Sequence, residues 1–262
     1  MRRLSLAAAL AMSLALIQTA SAAEPLVEFD LMTWPEVKQA LADGKTTAII
    51  YTGGVEQRGP QAVNGLHNFI VRKLVKQIAL KRGNAIAMPV LPFTPNNASA
   101  DLPGTIGLTN DLLGQVLERI AEQTITNGFK NIVLAGDHGG GQGAENVYAA
   151  VARKLDDKYA AQGIRVYYCE ACYKAAHDAF DKYLVDHNLP ASSHAGLADT
   201  SEALYWEGDE NWVRKDKLPI AVGPGNGITG DARGSKPDYG KAREDIKIDI
   251  AVKQIQAWIP AR

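Results

Sequence analysis

An α/β fold, a three-layer α/β/α sandwich around a mostly parallel sheet, is what this chain's residues predict. Two observations lead there. Short apolar or β-branched runs alternate with helical patterns of about 10–15 residues, the rhythm of βαβ units. Glycine-rich polar loops follow those runs, at the sheet edge where open α/β folds place their chemistry. Three of the five histidines sit in such loops.

The elements follow in order. Thr46 to Tyr51 is β-branched and apolar and predicts a buried strand. From His67 to Lys81, Ile70, Leu74 and Ile78 recur at helical spacing, and Gly83 stands where a helix ends. Asn84 to Val90 predicts a second strand, and Leu91 to Leu108, rich in Pro, Asn, Gly and Ser, a long loop. Asn110 is placed to cap a helix carrying Leu113, Val116, Leu117, Ile120 and Thr124, closed by Gly128. Lys130 to Ala135 predicts the third strand, Ala144 to Leu155 a helix, and Gly163 to Tyr168 the fourth strand. Helices follow at Lys174 to His187, Thr200 to Tyr205 and Tyr239 to Trp258. No linker or repeat interrupts the pattern, so residues 23–262 read as one domain.

The amino terminus reads differently. Arg2 and Arg3 precede an apolar run from Leu4 to Ile17, and Ala20-Ser21-Ala22 resembles a cleavage site. Residues 1–22 therefore read as a secretory signal peptide, which predicts a periplasmic or secreted protein. An uncleaved anchor is the alternative. The remaining chain has 26 basic and 29 acidic residues, which gives no reason to expect a nucleic-acid partner. No second long apolar stretch exists, so no membrane partner is expected either. The only cysteines, Cys169 and Cys172, are spaced C-x-x-C, and an exported chain favours a local disulfide. A free pair, a redox pair and a zinc site are the other readings.

Four loops carry the chemistry. They are Gly53 to Pro60, Gly65 to Asn68, Gly136-Asp137-His138-Gly139-Gly140-Gly141, and His194 to Ser201. Read residue by residue, each has a structural alternative. Glu56 and Arg58 could only brace a loop as an ion pair; His67 could only pack on its helix. Asp199 could be a helix cap, His194 an outer neighbour of the site, and Asp137 a solvated group. His177 and His187 read as surface residues. Of Tyr167 and Tyr168, at most one should face the site, because strand neighbours point oppositely. No G-x-S-x-G elbow and no G-x-G-x-x-G spacing is present, so neither a serine hydrolase nor a dinucleotide enzyme is indicated.

In this order the loops resemble the creatininase (creatinine amidohydrolase) family. The stretch Gly54 to His67 looks like that family's S-T-E-Q-H-G-P-H-L-P-L-G-T-D, and Pro103 to Leu108 like its P-G-T-I-S-L. Gly128 to Gly141 looks like G-F-R-R-x-V-I-V-N-G-H-G-G-N, His194 to Ser201 like H-A-G-x-x-E-T-S, and Gly227 to Ala232 like G-V-x-G-D-P. The resemblance implies a metal-dependent hydrolase of C–N bonds in small amides, often cyclic. It also implies an α/β/α fold, hexameric self-association, and two zinc or manganese ions bridged by an aspartate.

The departures set the expectation. Glu56 and His138 match ligand positions, and His194 matches the histidine near substrate. Arg58 replaces a ligand histidine, His67 the bridging aspartate, and Asp199 a glutamate. Imidazole cannot bridge two cations as a carboxylate does, and arginine keeps its proton. The sequence therefore predicts one divalent ion, zinc or else manganese, held by Glu56, His67, His138 and Asp199. Arg58 is expected in the second ion's place, where it could clamp a substrate carboxylate or steady an oxyanion, and His194 beside a small-molecule substrate, shuttling the proton or orienting the carbonyl. A pocket that binds without hydrolysis, and a lyase or isomerase using His194 as base, are the competing readings.

Overall fold

The computed structural model describes residues 24–96, 101–142 and 146–260. The signal-peptide reading, residues 1–22, lies outside them. Four strands, β1 (Thr47–Thr52), β2 (Ala85–Ala87), β3 (Asn131–Gly136) and β4 (Arg165–Tyr168), form one all-parallel sheet in the order β2-β1-β3-β4. Among the described residues the α-helices are α1 (Trp34–Ala42), α2 (Leu66–Arg82), α3 (Asn110–Thr126), α4 (Val147–Tyr159), α5 (Lys174–Asp186), α6 (Leu197–Trp206) and α7 (Pro237–Trp258).

Strand alternation builds the three layers. Ile49 and Tyr51 of β1 and Val133 and Ala135 of β3 face Leu74 and Ile78 of α2 and Ile248, Ala251 and Ile255 of α7. Ala48, Ile50, Ile132 and Leu134 point the other way, onto Leu113 and Leu117 of α3 and Val151 and Leu155 of α4. Both sheet faces are thus covered, which is why β1 is buried along its whole length.

Several expectations shift. The second strand is three residues long rather than seven. The cap of α3 is Thr109, whose hydroxyl accepts from the Leu112 N–H at 3.2 Å, and Asn110 is the first helical residue. The helix expected from Ala144 starts at Val147, capped by Asn146. Helix α1 went unread; Thr33 and Glu36 cap it reciprocally. Helix α6 begins at Leu197, so Asp199 lies in its first turn and Gly196 occupies the cap position.

Gly240 fixes how closely α7 crosses α6. A Cβ there would lie 2.0 Å from the Ser201 carbonyl oxygen. The close crossing brings Arg243 and Lys247, one turn apart on α7, onto Asp199 and Glu202 of α6.

Cys169 and Cys172 form a disulfide with Cα atoms 5.3 Å apart. The short loop it closes limits its effect to about 2 kcal/mol by the loop-closure relation. Reduction is expected to lower Tm by roughly 4–8 °C, read by scanning calorimetry with and without a thiol reductant. A loss of the whole fold on reduction would contradict this.

Candidate metal centre

The site forms where the sheet's topology reverses. From β1 the chain crosses to β2 on one side and then to β3 on the other, so the carboxyl ends of β1 and β3 diverge into a crevice. The loop after β1 carries Glu56 and Arg58. Asn68, in the first turn of α2, ties that loop down by accepting the Gly54 N–H at 2.9 Å. The same turn carries His67. The glycine turn after β3 carries Asp137 and His138, and a Cβ on Gly140 would lie 1.6 Å from the Pro95 carbonyl oxygen. The resulting cleft has a volume of about 540 Å³, with Glu56, His67, His138 and His194 among its walls.

Three expected donors meet: Glu56, His67 and His138 each offer an atom within 4.8 Å of the others. Glu56 is the hub. Its Oε1 lies 3.2 Å from His67 Nε2, and its Oε2 lies 3.2 Å from His138 Nε2 and accepts from Asn96 Nδ2 at 3.0 Å. Asp199, the expected fourth donor, does not join them. One of its oxygens is held by Arg58 and by the Ala195 N–H at 2.8 Å, the other by Arg243 at 2.9 Å. Arg58 is 2% exposed and lies between Glu56 (2.6 Å), Asp199 and His67.

Other readings of single residues need correcting. Asp137 is buried, not solvated: it accepts from His67 Nδ1 at 2.6 Å and pairs with Lys247 at 2.8 Å. His177 is not a surface residue; it lines the cleft and faces Arg243 Nη2 at 3.3 Å. Tyr167 stacks on Trp258 and Tyr168 on Tyr148, on opposite sheet faces, while Tyr173 reaches the cleft. The Glu56–Arg58 ion pair exists, but inside the site rather than as a loop brace.

The outcome is a ring of buried polar groups in which charge alternates from Glu56 through Arg58, Asp199, Arg243, Glu202 and Lys247 to Asp137, and the neutral His67 ring joins Asp137 back to Glu56. Arg243, Lys247 and Glu202 were not singled out from the sequence. The signal for Arg243 and Lys247 was the first half of α7, where charged residues occupy the stripe that Ile248, Ala251 and Ile255 continue toward the carboxyl end.

The family model described as creatinine amidohydrolase matches residues 30–255. The chain belongs to the creatininase family. Solved creatininases superpose closely. Creatinine amidohydrolase itself has a TM-score of 0.72 at 18% identity, covering 90% of this chain and 99% of that one. A creatininase described as the Mn form has a TM-score of 0.73 at 18% identity over 90% of this chain and all of that one. A variant of the Zn-Zn type has 0.73 at 20% identity over 90% and 99%. Among curated proteins, the 3-dehydro-scyllo-inosose hydrolase of Thermotoga maritima is 27% identical over 113 residues, 43% of this chain. That alignment spans only 36% of the relative's length.

The donor chemistry of Glu56, His67 and His138 suits a divalent ion. A carboxylate accepts only, so His67 keeps its proton on Nδ1, toward Asp137, and turns a lone pair from Nε2 toward Glu56. Two acceptors facing each other at 3.2 Å need a cationic partner, and here the Arg58 guanidinium, which touches both atoms, supplies it. Burial and the Arg58 guanidinium hold the His67 ring down, against Asp137, so it is neutral at pH 7 and able to donate that lone pair. Burial pushes Glu56 up, but Arg58 and the His138 hydrogen bond outweigh it and keep the carboxylate ionised well below the usual range. At His138, Nδ1 accepts the Gly140 N–H at 2.9 Å, which puts the proton of the neutral ring on Nε2. Ligation through that nitrogen requires the proton to move to Nδ1, which would give up the Gly140 N–H and donate instead to Thr94 Oγ1 at 3.2 Å. Arg58 reaches the same Glu56 and His67 atoms, so it competes there with the one ion they would hold as well as with any second one.

The ring also sets a pH dependence. Glu56, Asp137, Asp199 and Glu202 are all held below their ordinary values; burial opposes this, and Arg58, Arg243, Lys247 and the His138 and His67 contacts overcome it. Their contribution is complete above the unfolded carboxylate value of about 4 and is lost as pH falls through the folded values. Glu244, raised well above its ordinary value by burial, acts in the opposite sense. Four groups against one predict a urea midpoint that falls steadily below about pH 5. A midpoint rising between pH 5 and pH 3 would contradict the ring.

Proposed function

We propose that this chain is an exported, metal-dependent amidohydrolase that cleaves C–N bonds of small amides, cyclic ones included, with one zinc ion held by Glu56, His67 and His138. The observation that carries the reading is the convergence of those donors on the wall of a 540 Å³ cleft. A bound divalent ion supplies Lewis-acid polarisation and a water that ionises near neutral pH. The protein does the rest. Asp137 orients His67 and, with Lys247 behind it, keeps that ring's lone pair turned to the triad. Arg58, paired on both sides and almost fully buried, does not reach out to clamp a substrate. It stands in the second cation's place and holds Glu56 ionised. His194, its side chain 22% exposed at the cleft, touches the substrate.

The export reading is supported by the residue pattern of 1–22 and agrees with the Cys169–Cys172 disulfide. Among the described residues no helix is long and apolar enough to cross a membrane. Self-association is proposed from family membership.

A second reading rests on the relative named 3-dehydro-scyllo-inosose hydrolase, whose substrate is a cyclic polyhydroxylated ketone. One experiment separates the readings: purified protein, loaded with zinc or manganese, is offered cyclic amides, open-chain amides and cyclic polyol ketones. Release of a new amine with a new carboxylate is the expected result. Turnover of the ketones alone selects the second reading, and no product from any of them leaves a binding protein.

A further inference from the structure

We propose that Gln57 is a positioning residue that fixes His194 in its Nδ1–H tautomer, so that His194 meets the substrate as a hydrogen-bond donor and not as a base. The proposal rests on the reading that His194 touches substrate in this cleft. The argument starts from the amide of Gln57, which is buried. Its Oε1 accepts the Gly59 N–H at 3.0 Å, which settles which end of the amide is oxygen. Its Nε2 donates to the Gly227 carbonyl oxygen at 2.8 Å and lies 2.9 Å from His194 Nε2. The NH₂ group has two protons, and these two partners take both. His194 Nε2 must therefore accept, and the proton of the neutral ring sits on Nδ1.

That proton is aimed but not consumed. His194 Nδ1 lies 3.5 Å from Glu56 Oε1, at the limit of hydrogen bonding, on the wall of the cleft. It is free to donate to a substrate oxygen placed over the triad, as neutral imidazole donors do elsewhere. The backbone holds both partners in place. Gly227 has φ +70°, and a Cβ there would lie 2.3 Å from Gln57 Oε1, so only glycine leaves room for the amide. The His194 carbonyl accepts the Thr229 N–H at 3.0 Å, and the following Ala195 is held at φ 54°, a left-handed conformation uncommon for alanine.

The test is the tautomer itself. Long-range ¹H–¹⁵N correlation spectra of the purified, histidine-labelled protein, recorded at about pH 9 where ordinary imidazole is neutral, distinguish the two ring nitrogens. Spectra are taken with zinc and again after chelation, and the His194→Asn protein assigns the signal. The expected result is a protonated Nδ1 and an unprotonated Nε2 in both. In Gln57→Glu, whose carboxylate can only accept, the pattern inverts, and kcat on whichever substrate is turned over falls at least roughly 100-fold. A protonated Nε2 in the unmodified protein, or a Gln57→Glu spectrum unchanged from it, overturns the proposal. The spectrum of the unmodified protein decides alone if the variant does not fold. An Nδ1–H tautomer in a protein that hydrolyses nothing would sink the amidohydrolase reading and leave this one standing.

Discussion

Glu56→Gln is expected to remove turnover and to weaken metal binding by more than about 100-fold, the loss already reached when only a supporting neighbour of a ligand is removed. The reason is that one carboxylate serves five partners: Arg58, His67, His138, Asn96 and, more distantly, His194. Glutamine fills the same volume but carries no charge, and its NH₂ end points a donor at groups that need an acceptor. Arg58 then keeps only Asp199 as a counter-ion, at a position 2% exposed to solvent. Unpairing a buried ion typically costs about 3–5 kcal/mol, and the surviving Asp199 contact puts this variant at the lower end. Three readouts check it: hydrolysis rate, zinc affinity by competition with a chelator, and the urea midpoint. A variant that retains wild-type affinity for zinc would show that Glu56 is only a neighbour of Arg58.

Lys247→Met is the second large effect, and it acts from the far side of the ring. Lys247 is almost fully buried and touches Asp137 at 2.8 Å, Glu202 at 2.9 Å and Glu244 at 3.2 Å. Burial alone would depress the ammonium, but Asp137 and Glu202 raise it well above its ordinary value. Methionine keeps much of the apolar stem and deletes the charge, leaving the buried Asp137 carboxylate without its cation and Glu202 with Arg243 alone. The expected loss is about 3–5 kcal/mol, a fall in Tm of roughly 10 °C for a chain of this length. Zinc affinity should fall about 10–100-fold as well, because Asp137 loses the cation that holds it against His67. Lys241→Met is the control. Lys241 lies on the same helix in an exposed pair with Asp245 at 2.6 Å, and its loss should stay within about 0.5 kcal/mol. Equal effects from the two substitutions would mean that the buried ring carries no special energy.

The residues told much of this in advance, for identifiable reasons. A parallel sheet buried on both faces writes itself as continuous apolar runs, so the first and third strands could be read to within a residue from Ile49, Ile50, Val133 and Leu134. The second was overestimated because Met88, Pro89 and Val90 are apolar too, while Pro89 cannot donate to a ladder. The glycine turn around His138 was legible because a histidine followed by three glycines at a strand's carboxyl end has few structural uses. What stayed hidden was pairing across the fold. Asp199 read as a metal donor because it stands where the resembling family has a glutamate before Thr-Ser. Nothing local to residues 194–201 announces that Arg243, some forty residues on, and Arg58, far upstream, take its oxygens. Gln57 was passed over for the same reason: its partners Gly59, Gly227 and His194 come from three separate loops.

The most direct test of the metal centre is the number of zinc ions each chain keeps. The purified protein is loaded with excess zinc, exchanged into metal-free buffer and analysed by mass spectrometry of the element, beside His138→Ala treated identically. With Glu56, His67 and His138 as the donors and the Arg58 guanidinium in the second position, the protein should retain one ion per chain and the variant none. Two ions per chain, or equal retention by the variant, would contradict it.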